Sequence, residues 1–189
     1  LMRKLSTVIV FMTLSVLSSS AQKNVVTPMP AMPVDSITRL ITYEEVIEMK
    51  DLKAEIMYAR ILAWFRSYYK NPTEVIREND SLKFRVVGKP RFKIYNPADK
   101  EGTKTDAGLV QYTLTVAAKD GRFKYEFTAY NWKQQSYYAC ERWLDTKAQL
   151  YTPLYNDYLL QVETYTKETI NSLKNAVTKE KPVKDKDNW

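Results

Sequence analysis

Two stretches of the chain have the hydrophobic period of amphipathic helices. In residues 52–69 the apolar positions that recur every three or four residues are Met57, Ile61, Trp64, Phe65 and Tyr68. Asp51 is the predicted N-cap of this helix and Pro72 its stop. In residues 154–177 one stripe contains Leu159, Val162, Thr166, Ile170, Leu173 and Val177. The sequence therefore predicts one helix near each end of a folded domain.

Other segments alternate apolar and polar residues with the period of two that is typical of strands. Residues 41–49 predict a first strand, with Glu45 as a polar exception on its apolar face. After the first helix, a short strand over 74–79 precedes a longer one in which positions 84, 86, 92 and 94 are apolar. Pro90 indicates an edge position or a bulge in that longer strand.

A hairpin is predicted at the Asp120-Gly121 turn. Residues 110–116 and 123–127 alternate on its two sides, and an Asp-Gly pair favours a two-residue type I′ turn. The predicted order of elements is therefore β-α-β-β-β-β-α.

The segment before the second helix has neither period. We expect residues 130–153 to form an irregular excursion that is rich in aromatic residues. Its rings either pack a long loop onto the domain or form an exposed patch that binds sugar rings or a protein partner. The candidate patch residues are Tyr130, Trp132, Tyr137, Tyr138 and Trp143.

The two ends of the chain differ from this domain in composition. Residues 1–21 have a positive start, a short apolar run and small residues before Gln22, which is the pattern of a signal peptide cleaved near Ala21. No cysteine follows the cut to carry a lipid, so we expect a soluble periplasmic or secreted protein. The prolines of residues 22–37 predict an extended tether, residues 38–178 a single domain, and residues 179–189 a charged flexible tail.

Composition excludes most catalytic chemistry. The chain has no histidine, four glycines and one cysteine, so the Ser/His/Asp and Cys/His nucleophile systems and the common zinc motif are absent. The glycines are not spaced as a phosphate-binding loop, and we predict no cofactor or metal site. Cys140 is expected to be a structural thiol. The carboxylates Glu44, Glu45, Glu48 and Asp51 could supply the acid and base of a glycosidase, although an acidic solvated surface accounts for them as well.

The chain is basic, and part of its positive charge follows one strand. The formal net charge of +7 becomes +5 when the two cations of the signal peptide leave with it. Odd positions of the longer strand place on one face the side chains of Lys83, Arg85, Lys89, Arg91 and Lys93. This face either binds anions such as phosphates or carboxylates, or keeps an exposed sheet surface soluble and protects its edge.

The motifs of the chain resemble those of a family of secreted Gram-negative bacterial proteins of unknown function with a TATA-binding-protein-like (TBP-like) fold. The matching segments are residues 41–46 (ITYEEV), 58–65 (YxRxxxWF), 87–93, 112–116 (YTLTV) and 119–123 (KDGRF). One departure is Lys53, at a position where the family often has a capping serine.

The resemblance implies an α+β domain, with a curved antiparallel sheet of about five strands and two helices on one face. It implies no activity, and nucleic acid is an improbable partner for an exported chain. We predict a non-catalytic binding domain of the cell envelope whose partner is an envelope protein or an anionic or glycan component. The alternatives are a carboxylate-dependent glycan-active enzyme and a carrier of a small apolar ligand.

Overall fold

The computed structural model describes residues 27–179. The predicted signal peptide, the first part of the tether and the tail beyond Lys179 lie outside these residues. The strands are β1 (Tyr43–Glu48), β2 (Ile76–Asp80), β3 (Arg85–Gly88), β4 (Arg91–Tyr95), β5 (Asp106–Lys119), β6 (Arg122–Lys133) and β7 (Tyr137–Ala139). The helices are α1 (Ala54–Tyr68), the single turn α2 (Pro72–Val75), a 3₁₀ helix (Cys140–Leu144) and α3 (Leu154–Thr178).

The strands form one antiparallel sheet, which confirms the predicted α+β class. The order across the sheet is β1-β6-β5-β3-β2, while β4 also pairs with β5 and β7 pairs with β6. The described residues form seven strands where about five were predicted. The predicted long strand is two strands, because it breaks at Lys89-Pro90 and both halves pair with β5. The start of the predicted strand over 74–79 belongs to α2.

The core lies between the sheet and the helices α1 and α3. The predicted stripe of α3, from Leu159 to Val177, is buried, and so is the apolar face of α1 around Ile61. Burial of these two faces against each other and against β5 drives the packing. Aromatic rings fill much of this space, since Tyr112 on β5 stacks on both Phe127 and Tyr130 of β6.

The turn between β5 and β6 also supplies the cap of the first helix. Asp120 and Gly121 form the predicted two-residue connection, but only Gly121 has a positive φ, so the turn is not the type I′ turn expected. Asp120 Oδ1 accepts a hydrogen bond from the Ala54 backbone N–H at 2.9 Å, and its Oδ2 contacts Lys53 Nζ at 3.1 Å. Asp120 therefore caps α1 instead of Asp51, and it compensates for the lysine at position 53.

A bulge in β6 reverses which residues face the helices. Phe123, Tyr125 and Phe127 point inward, but the register of β5 and β6 then shifts and Ala129 adopts a φ of +54°. One extra residue on a strand moves the following side chains to the other face. Tyr130 and Trp132 consequently lie on the helix side of the sheet. Residues 130–133 thus continue a strand, and the expectation of an irregular segment there is wrong.

The described part of the predicted tether contacts the domain. Thr27 Oγ1 donates to Asp157 of α3 at 2.5 Å, and the Thr27 carbonyl accepts from Asn156. Val34 forms an isolated bridge with Ile41. Thr27 is thereby attached to α3, and Val34 to the residues just before β1.

Candidate functional site

Aromatic residues from four elements meet beside the end of β6. The bulge turns Trp132 toward the helices, where its ring centroid lies 5.4 Å from that of Trp143 in the 3₁₀ helix. Trp143 stacks on Tyr155 of α3 at 5.7 Å. Tyr138 of β7 approaches Trp132 at 6.3 Å. Such offset and edge-on arrangements are the ones aromatic rings favour.

These rings form one wall of an open cleft of about 580 Å³, which we call the aromatic cleft. Its lining residues are Trp132, Gln134, Gln135, Tyr138, Ala139, Arg142, Trp143, Asp145, Ala148, Leu150, Tyr151 and Tyr155. The volume lies within the range of about 300–1,000 Å³ that is usual for ligand sites. Aromatic surface with a few amide and charged groups suits a ligand that is itself amphipathic, such as a sugar ring.

Hydrogen bonds fix the orientation of the cleft wall. Trp132 Nε1 donates to the Ala107 carbonyl at 2.8 Å, and Gln134 Nε2 donates to the same oxygen at 3.2 Å. The Arg142 guanidinium lies over the Tyr138 ring, 5.7 Å from its centroid. The indole ring is therefore held in place, whereas Tyr138 and Arg142 remain at the surface of the cleft.

The structure separates the five residues of the predicted aromatic patch. Trp132, Tyr138 and Trp143 line the cleft, although Trp143 is only 2% exposed. Tyr137 is half exposed but points away from the cleft, with Lys133 Nζ 5.6 Å from its ring centroid. Tyr130 does not belong to the patch, because it is fully buried in the core and its hydroxyl contacts Thr166 Oγ1 at 2.9 Å.

Sequence reasoning did not assign Tyr151 and Tyr155 to this site. Tyr155 lies in the first turn of α3, whereas Tyr151 precedes that helix, so helical spacing does not relate them; their aromatic character is the signal that could have added them to the patch. Arg142 and Asp145 carry no comparable signal, because the 3₁₀ helix that positions them has no clear sequence pattern.

The predicted cationic residues lie on the outer side of β3 and β4 and beside them, but most of their charge is compensated. Lys83 contacts Asp80 at 3.6 Å and Arg85 contacts Glu78 at 2.6 Å. Arg91 lies 3.7 Å from Glu74, and Lys93 lies 2.8 Å from Asp106. The hydrogen bond that Lys93 donates to the Asp106 carboxylate raises the pKa of Lys93. Lys89 alone among these five forms no ion pair with any residue in the range 27–179.

Two carboxylates of the first strand, Glu44 and Glu45, are engaged in structural contacts. Glu44 pairs with Lys124 at 2.5 Å on the open face. Glu45, the exception on the inner side, accepts from the Tyr125 hydroxyl at 2.6 Å and from Lys174 Nζ at 2.5 Å. The hydrogen bond from Lys174, and then that from Tyr125, lower the pKa of Glu45. The structure thus explains why a glutamate stands at this position in an otherwise apolar pattern.

Cys140 is fully buried, and burial raises the pKa of its thiol. In residues 27–179 no group of acidic, cysteine and histidine side chains is arranged to hold a metal ion. Within the same range no helix has the length and apolar character required to cross a membrane.

An antiparallel sheet with two long helices packed on one face defines the TBP-like class of α+β domains. The model of a family described as a domain of unknown function (DUF4468) with TBP-like fold matches residues 43–133. Residues 43–133 are thus similar to the DUF4468 family, and the cleft lies where the last matched strand meets the segment that follows it.

Two solved structures resemble the whole domain. A DUF4468 family protein from Bacteroides ovatus is 15% identical with a TM-score of 0.63, over 79% of this chain and 94% of that one. A TBP-like protein from Parabacteroides distasonis is 16% identical with a TM-score of 0.49, over 79% of this chain and 98% of that one. No curated protein matches the sequence.

Proposed function

We propose that this protein is a non-catalytic binding domain of the bacterial cell envelope, and that the aromatic cleft is its binding site. The ligand is an envelope component that presents a sugar ring, either a glycan or a glycosylated partner. The observation that carries this proposal is the cleft itself, in which aromatic rings from β6, β7, the 3₁₀ helix and α3 surround a volume of about 580 Å³.

The mixture of groups in the cleft supports a sugar more than a purely apolar ligand. The faces of Trp132 and Tyr138 offer apolar surface, while the side chains of Gln134, Arg142 and Asp145 offer hydrogen-bond donors and acceptors. Sugar rings have the same combination of C–H faces and hydroxyl edges. A small number of polar groups in an aromatic site fixes the orientation of such a ligand.

The arrangement of carboxylates favours binding over the alternative of a glycan-active enzyme. A glycosidase requires two carboxyl groups across the scissile bond, whereas Asp145 is the one acidic residue in the cleft lining. The carboxylates Glu44 and Glu45 hold ion pairs at the sheet instead. The alternative of an apolar carrier is disfavoured by the stacked rings of Tyr112, Phe127 and Tyr130, which occupy the space between sheet and helices.

Neighbouring tyrosines of β7 allow a matched test of this site. Tyr138 lines the cleft and Tyr137 lies outside it, yet both are exposed to a similar extent, 40% and 49%. We expect soluble muropeptides or neutral oligosaccharides to give saturable changes in tryptophan fluorescence and in calorimetric titration. Tyr138→Ala should weaken this binding about tenfold, since truncation of an aromatic anchor commonly costs more than 1 kcal/mol. Tyr137→Ala should change it less than about twofold.

Two results would contradict the proposal. The first is that no saccharide in the panel binds, and the second is that both tyrosine variants lose affinity equally. Mass spectrometry of the ligand after incubation distinguishes the enzyme alternative, because a binding domain leaves the saccharide intact and a hydrolase shortens it.

A further inference from the structure

A second hollow, of about 350 Å³, lies where the strand breaks between β3 and β4. Its lining residues are Tyr69, Lys70, Asn71, Glu74, Val75, Arg77, Lys89, Pro90, Arg91 and Gln111. They come from the segment that follows α1, from α2 and β2, from the break itself, and from β4 and β5. We call this feature the basic hollow.

The charges around the basic hollow are unbalanced. Its cations are Lys70, Arg77, Lys89 and Arg91, and its only carboxylate is Glu74. Within residues 27–179, Lys70, Arg77 and Lys89 form no ion pair. Arg91 approaches Glu74 only to 3.7 Å, whereas Arg85 and Lys93 nearby contact their partners at 2.6 and 2.8 Å. The tertiary structure thus neutralises most of the cationic strand, while the basic hollow keeps three cations that form no ion pair within residues 27–179.

The walls of the hollow strengthen the field of these charges. Tyr69 and Pro90 are buried residues whose apolar surface excludes water from one side of it. A concave site with low-dielectric walls concentrates potential and attracts counter-ions. The side-chain amides of Asn71 and Gln111 add hydrogen-bond donors to the lining.

We propose that the basic hollow is a binding site for a phosphate group, separate from the aromatic cleft. Arginine supplies paired N–H donors that match phosphate oxygens, and lysine supplies a compact positive charge. The groups that hold the anion are the four cations of the lining, Lys70, Arg77, Lys89 and Arg91. The volume admits a phosphate together with a small attached group. Glu74 opposes the ligand and limits its affinity.

The test measures binding of inorganic phosphate to the purified protein by NMR chemical-shift titration and calorimetry at constant ionic strength, in a buffer without phosphate. We expect saturable binding, with shifts centred on residues 69–77 and 88–91. Arg77→Gln combined with Lys89→Gln should weaken binding at least about tenfold, because hydrogen bonds to charged groups are the strong ones. Glu74→Gln, which removes the opposing carboxylate, should tighten it by about two- to fivefold.

A control pair with the same change in net charge separates a site from general attraction. Lys100→Gln combined with Lys104→Gln alters two exposed lysines of the loop before β5, which also form no ion pair within residues 27–179. Binding by this control should remain within about twofold of the unmodified protein. Equal losses in the two double variants, or no saturable phosphate binding, would overturn the proposal.

Vesicles distinguish a lipid headgroup from a soluble phosphate compound. The protein is sedimented with phosphatidylcholine vesicles that contain phosphatidic acid. If the Arg77→Gln/Lys89→Gln variant no longer sediments with them and the lysine control still does, the site binds a lipid phosphate. Phosphate binding without vesicle binding assigns it to a soluble phosphate compound. Both outcomes support the basic hollow. Tyr138→Ala, which alters the aromatic cleft, should leave phosphate binding unchanged. A loss of saccharide binding at the cleft can therefore be distinguished from a loss of phosphate binding at the basic hollow.

Discussion

Replacing Gly88 by alanine tests how closely the first helix approaches the sheet. Gly88 ends β3, and a Cβ atom there would lie 2.7 Å from Phe65 Cε1 and 3.3 Å from Val75 Cγ1. Phe65 is fully buried, and its ring centroid lies 5.1 Å from that of Trp64 and 5.8 Å from that of Tyr69. The ring therefore has little room to move away from an added methyl group.

The cost follows from two opposing terms. Overpacking a buried site costs about 1–3 kcal/mol. Alanine regains about 0.5–1 kcal/mol because it restricts the unfolded chain more than glycine does. We expect the free energy of unfolding to fall by about 1–2 kcal/mol, which corresponds to a decrease in Tm of about 2–8 °C for a domain of this size.

Urea denaturation followed by circular dichroism, together with calorimetry, measures this loss. Phe65→Leu removes the atom that the new methyl group would meet, so Gly88→Ala should cost less than about 0.5 kcal/mol in that background. Equal losses in both backgrounds, or a Gly88→Ala protein as stable as the unmodified one, would refute the reasoning. Gly88 and Phe65 also belong to two of the motifs shared with the TBP-like family, residues 87–93 and 58–65. The experiment therefore measures a contact between two of these motifs.

Two further predictions concern Asp120 and Cys140. Asp120→Ala should lower the urea midpoint at pH 7, while Asp51→Ala, which alters the cap predicted from sequence alone, should leave it unchanged. The hydrogen bond from Ala54, and then the contact with Lys53, hold the pKa of Asp120 below its usual value of 3.8. Its contribution is therefore present above the unfolded pKa of 3.8 and is lost as the pH falls through the lower folded pKa, so that the midpoints of the variant and of the unmodified protein approach each other on acidification. A difference between the two midpoints that does not shrink on acidification would contradict this role. The Cys140 thiol should react with a disulfide reagent at pH 8 far more slowly in the folded protein than in urea, because it is buried and its pKa is raised; equal rates would show that the thiol is accessible.

Local patterns predicted the elements that bury a regular face. The stripe of α3 repeats over several turns, and every member from Leu159 to Val177 is buried as expected. The alternation of β5 places Val110, Leu114 and Val116 inward. In these elements the period of the backbone and the apolar pattern agree over many residues, so the sequence needs no tertiary information to define them.

The candidate sites depended on irregularities that no such pattern reveals. One extra residue at Ala129 reversed the faces of β6, buried Tyr130 and brought Trp132 to the aromatic cleft. The sequence predicted an irregularity at Pro90. It did not predict that Lys70 and Arg77 would lie beside this break. Their positions follow from the chain path after α1, which sequence periodicity does not encode.

By itself, the sequence determined the class of the domain, its two long helices, the alternation of its main strands and the absence of histidine chemistry. The tertiary structure decided which charges are paired, as for Arg85 with Glu78, and which aromatic rings face a cleft. The physical reason is the range of each interaction. Burial of a regular face is specified by residues three or four positions apart, whereas an ion pair or a cleft requires atoms from segments that only folding brings within a few ångströms.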